Sequence, residues 1–103
     1  YSDVRLKSEI ETIDGALDKV LHLRGCNYVK DGNYEMGVIA QEVEKVIPEG
    51  VSVIDSSTTE VDGIKDLRTV AYGNLVGVLI EAIKEQDEKI NKLTELVEKL
   101  TNK

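Results

Sequence analysis

Residues 76–100 read VGVLIEAIKEQDEKINKLTELVEKL, and their spacing decides the architecture. Val76, Leu79, Ile83, Gln86, Ile90, Leu93, Val97 and Leu100 alternate steps of three and four. This is a heptad register with Val or Ile at every a position and Leu at every d position except Gln86. A helix of about 25 residues at ~1.5 Å rise per residue spans about 37 Å. That exceeds what a small neighbouring domain covers, so the pattern predicts a coiled coil with its apolar seam buried by other copies. A β-branched a layer with Leu at d favours two strands. Ile80 at e and Leu96 at g widen the stripe, which suits three or more. The residues alone leave dimer and trimer open.

Upstream of the seam the pattern is that of a mixed domain. In residues 8–24, SEIETIDGALDKVLHLR, the positions Ile10, Ile13, Leu17, Val20 and Leu21 follow helical spacing. Ser8 with Glu11 has the form of a capping box, and Gly25 suits a C-cap. One amphipathic helix is expected there, with Gly15 inside it at a cost of about 1 kcal/mol relative to Ala. CNYVK and the segment from Tyr34 flank Asp31-Gly32-Asn33, a turn-forming set that predicts a hairpin. GVIAQEVEKVIPEG enters a second helix with Ile39, Val43, Val46 and Ile47 on its apolar face, stopped by Pro48. VSVID alternates as a strand, SSTTEVDG is a polar loop, and IKDLRTVAY holds a last strand. The expected fold class is α+β: a helix/strand head over residues 1–72, then a long coiled-coil helix over 73–103.

Composition narrows the function classes. The chain has 103 residues, enough for one domain with a modest core, and that core must be aliphatic because Phe and Trp are absent. A net charge of −7 without clustered Lys or Arg argues against nucleic acid as a partner. Cys26 is the sole cysteine, so an intrachain disulfide is excluded, and it reads as a small hydrophobe. No Cys/His set with metal-ligand spacing and no phosphate-binding loop appears, so neither metal nor cofactor is expected. No apolar run near 18 residues and no signal-peptide pattern is present, and a membrane-spanning role is not expected.

Chemistry has few candidates. Ser2 and Lys7 stand five positions apart, and a serine attacks a carbonyl only when a base removes its proton. Spacing by itself leaves them as surface residues. His22 lies four residues before Cys26, but Gly25 falls between them and a His-Cys pair is not expected. Gln41, Glu42 and Glu44 read as a solvated helix face. Asp31-Gly32-Asn33 lacks the further ligands of a twelve-residue calcium loop.

Three segments in order carry a resemblance: SDVRLK (2–7), GVIAQEVEKVIPEGV (37–51) and VAYGNLVGVLIEAIKEQDEKI (70–90). Together they resemble the peptidase S74 family, the intramolecular chaperone and autoprocessing domain of bacteriophage tailspikes and tail fibres, seen also in endosialidases and myelin regulatory factors. The resemblance implies a homotrimer that guides an upstream β-structured domain of the same precursor to fold, then releases itself by cleavage. It implies a Ser-Lys dyad at Ser2 and Lys7 and a scissile bond between Tyr1 and Ser2. It also implies assembly in the host cytoplasm, with the mature product in the virion tail. An ordinary lysine titrates near ~10.4, and bringing one toward ~7 to 8 takes roughly 4 kcal/mol of desolvation or like-charge repulsion. Arg5 is a candidate source of repulsion, and burial in an oligomer is another. The alternative function is a non-catalytic coiled-coil oligomerisation module.

Overall fold

The computed structural model describes residues 1–54 and 63–102. It shows a small α+β head and one long helix. Helix α1 (Ala16–Leu21) is followed by the hairpin β1 (Cys26–Lys30) and β2 (Asn33–Gly37), helix α2 (Ala40–Val46), strand β3 (Val51–Val53), strand β4 (Arg68–Val70) and helix α3 (Tyr72–Thr101). The strands form two separate antiparallel pairs, β1 with β2 and β3 with β4. The polar loop expected at SSTTEVDG lies outside the described residues apart from Gly63.

The hairpin stands where its turn residues place it. Cys26 pairs with Gly37 and Lys30 with Asn33, leaving Asp31 and Gly32 as a two-residue loop. Both have positive φ, 51° and 77°, the left-handed pair whose twist matches that of the flanking strands. Helix α2 ends at Val46, just before Pro48, which opens a 3-10 turn, Pro48–Gly50. The second pair continues past its ladder, with Ile54 N–H donating to Leu67 O at 2.8 Å and Ala71 N–H to Gly50 O at 2.8 Å. The latter bond fixes the residue that caps α3.

The first helix is shorter than its apolar spacing predicts. Helical structure covers Ala16–Leu21 and not residues 8–24, and the helix closes at His22 rather than at Gly25. Gly15 is not a costly interior glycine but the N-cap, in the left-handed region at φ 64°. Glu9 also has positive φ, 52°, so the Ser8–Glu11 pair does not cap a helix. The apolar positions before Gly15 serve another contact. Ile13 lies over Gly77 of α3, its Cδ1 3.5 Å from where a Cβ would stand there.

The core explains that difference. Ala16, Val43, Ile47, Leu75, Val78 and Ala82 are buried, with Leu17, Val20, Val46, Val51 and Val70 packed against them. Three of the six come from the first turns of α3. At about 100° per residue, Leu75, Val78 and Ala82 form a stripe roughly a quarter turn from the a/d seam. The long helix thus has two apolar faces, one spent on its own head. Burying a side chain such as Val43 contributes about 1.5 to 3 kcal/mol.

Candidate active site

Ser2 and Lys7 meet. A single 3-10 turn, Val4–Leu6, folds the chain back on itself. Leu6 N–H donates to Asp3 O at 3.0 Å and Lys7 N–H to Val4 O at 3.1 Å. Asp3 caps this turn, its Oδ1 accepting from Arg5 N–H at 2.8 Å. The same carboxylate grips the Arg5 guanidinium, Oδ1 accepting from Nε at 3.1 Å and Oδ2 from Nη2 at 2.8 Å. The result places Lys7 Nζ 2.7 Å from Ser2 Oγ, within hydrogen-bond reach.

The electrostatics of the turn are local. The Arg5 guanidinium holds the Asp3 carboxyl below its usual range, chiefly through their side-chain hydrogen bonds, and Asp3 holds Arg5 further above its own. Arg5 is therefore paired with a carboxylate rather than standing as an isolated cation. Every residue from 1 to 12 is exposed in the single chain. Val4, Leu6 and Ile10 each leave 67 to 70% of their surface uncovered. An apolar surface of this kind is suited to being covered.

The other candidates sit apart from the pair. Glu42 accepts from Arg24, Oε1 from Nε at 3.0 Å and Oε2 from Nη2 at 2.6 Å, which holds its carboxyl below the usual range. Glu44 lies 3.6 Å from Arg68 Nε. Gln41 is exposed on the same short helix. His22 Nδ1 lies 2.7 Å from Asp18 O, within its own helix, while Cys26 is a half-buried free thiol on β1. Among the described residues no group of three or more His, Cys, Asp or Glu has the geometry to hold a metal. No described helix is long and apolar enough to cross a membrane.

Along α3 the a/d residues Val76, Leu79, Ile83, Ile90, Leu93, Val97 and Leu100 are each 45 to 68% exposed, and Gln86 is exposed among them. Ile80 and Leu96, which widen the stripe, are exposed as well. The seam is continuous and uncovered in one chain.

Two residues that spacing did not single out are Asp3 and Glu85. Asp3 has the N-cap residue type two positions before the arginine it holds, a signal readable in advance. Glu85 has none, because its partners are nearly seventy residues away: Oε2 accepts from Ala16 N–H at 2.8 Å and Oε1 from Leu17 N–H at 3.1 Å.

This head with its N-terminal Ser-Lys turn and its long helix has counterparts. Residues 2–52 match the peptidase S74 family model, described as the chaperone of endosialidase, and the chain belongs to that family, a family of chaperones that cleave themselves. The long tail fiber protein Gp37 of Enterobacteria phage M1 is 39% identical over 112 residues, covering 99% of this chain. Gp37 of Enterobacteria phage Ox2 is 40% identical over 101 residues, covering 89% of this chain. The chain spans 42% and 38% of those two relatives, so each of them is more than twice the length aligned.

Proposed function

We propose that this chain is the intramolecular chaperone domain of a phage tail fibre precursor, acting as a homotrimer in the host cytoplasm and releasing itself by cleaving the Tyr1–Ser2 bond. The observation that carries the catalytic part is the 2.7 Å approach of Lys7 Nζ to Ser2 Oγ. Neutral Lys7 takes the proton from Ser2 Oγ as it attacks the carbonyl carbon of Tyr1, in its own chain or a neighbouring one. The C–N bond breaks, the amine of Ser2 leaves with the proton returned by Lys7, and an ester remains. Water hydrolyses that ester to free the Tyr1 carboxylate. Because the bond is held intramolecularly, proximity supplies much of the acceleration, and the site turns over once.

The chaperone part rests on the family match and on the exposed seam of α3. A coil that aligns three chains removes the loop-closure cost that slows non-local β pairing. Association also offers cover to Val4, Leu6 and Ile10, and so desolvation for Lys7, which couples cleavage to assembly. The mature product would then reside in the virion tail, with the domain released.

The exposure of Ser2 and Lys7 in the single chain favours a second reading, an inert oligomerisation module. Expressing the full precursor beside Ser2→Ala and a gene truncated before Tyr1 separates the two. The proposed function expects two fragments from the first, an uncut soluble trimer from the second and mostly aggregated protein from the third. Cleavage of purified Ser2→Ala before residue 2 would exclude the serine mechanism, and efficient native assembly of the truncated chain would exclude the chaperone role.

A further inference from the structure

We propose that Asp3 and Arg5 are positioning residues for the Ser2–Lys7 pair, a role that rests on the catalytic reading above. Five residues of extended chain would carry Lys7 about 16 Å from Ser2; the pair exists only because the 3-10 turn reverses the chain. A three-residue turn is weakly stable alone, since 3-10 hydrogen bonds have poor geometry. This one contributes nothing to the buried core, with residues 1 to 12 all exposed in the single chain. Its support is the Asp3 carboxylate, which accepts one backbone N–H inside the turn and two N–H groups of the Arg5 fork.

Each contact has a separate job. The bond from Arg5 N–H to Oδ1 satisfies a donor that the turn leaves free, as an N-cap does in a helix. The two-point grip on the guanidinium fixes the orientation of the carboxylate that makes that bond, and an ammonium, being a point donor, does not reproduce it. An exposed ion pair adds little to global stability. Loss of this one therefore acts on the geometry of attack rather than on the fold, and misplacing a catalytic group by about 1 Å lowers a rate roughly 100-fold.

The test uses the full precursor with its natural upstream segment and follows conversion to two fragments for the unaltered chain, Ser2→Ala, Asp3→Ala, Asp3→Asn and Arg5→Lys. Melting temperature and oligomer mass are recorded for each. Asp3→Ala is expected to slow cleavage roughly 10- to 100-fold with both physical measurements unchanged. Asp3→Asn keeps an Oδ1 acceptor for the backbone bond but loses the Oδ2 acceptor of the fork, and is expected to recover the rate only in part. Arg5→Lys is expected to fall between them. An unaltered rate in Asp3→Ala, with Ser2→Ala uncut, overturns the positioning role and leaves the serine mechanism standing. Asp3→Asn as slow as Asp3→Ala, with Arg5→Lys at the unaltered rate, also overturns it, because charge rather than the cap and the fork would then matter. Cleavage of Ser2→Ala overturns the catalytic reading itself.

Discussion

On the proposed mechanism, a serine hydroxyl 2.7 Å from a lysine amine can react in one protonation state only. A neutral amine accepts the hydroxyl proton, whereas an ammonium donates to the oxygen and ties up the electron pair that must attack. Cleavage of the precursor should therefore slow as pH falls, since protonation of the amine removes the base. A pH profile of cleavage rate that stays flat through neutral and mildly acid pH would count against Lys7 as the base. Lys7→Arg should leave the chain full-length, since a guanidinium keeps its charge at any workable pH. An arginine variant that cleaves at the normal rate would show that the cation serves only to orient Ser2.

Helix α1 has six residues, too few to be stable by themselves. Its Gly15 N-cap carries no side-chain acceptor, so the exposed donors of the first turn are met from elsewhere. Glu85 on α3 meets two of them with one carboxylate, placing negative charge at the positive end of the helix. Glu85→Ala should cost about 1 to 3 kcal/mol, the range for losing a cap or a charge-assisted hydrogen bond. Denaturant unfolding at fixed chain concentration is the measurement. Glu85→Gln, which keeps one acceptor and loses the charge, should cost less. Equal stability of Glu85→Ala and the unaltered chain would mean that water caps the helix as well as the carboxylate does.

The molecule extends 68 Å along its longest axis, and beyond Ala82 its long helix offers an uncovered seam. Leaving that many Ile, Leu and Val side chains in water is costly at about 25 cal/mol per Å² of apolar surface. Association of copies removes the cost. Three helices would bring three Gln86 amides into one core layer, which specifies register while leaving hydrogen bonds hard to complete. Gln86→Ile should therefore raise the melting temperature of the assembled domain. The unaltered domain should sediment with the mass of three chains. A mass of one or two chains at micromolar concentration would exclude the trimer, and a lower melting temperature for Gln86→Ile would show that the amides are satisfied within their layer.

What the sequence by itself determined was periodic or local. The heptad of α3, the hairpin turn within Asp31-Gly32-Asn33, the stop at Pro48 and the order of strands and helices all depend on residues a few positions apart, where propensity and spacing act directly. The Ser2–Lys7 pair was legible through its motif, though not its geometry, because the turn that closes it depends on a carboxylate bonding back onto Arg5. Only the tertiary structure decided the extent of α1 and the second apolar face of α3. Ile10 and Ile13 have the spacing of a helix face, yet Gly15 adopts a left-handed backbone and Ile13 lies across Gly77. Glu85 supplies a cap from the far end of the chain. Leu75, Val78 and Ala82 are buried in the head although the stronger heptad beside them dominates the pattern. Such contacts join residues some seventy positions apart, and no local spacing encodes which of two apolar faces a helix will turn toward its own chain.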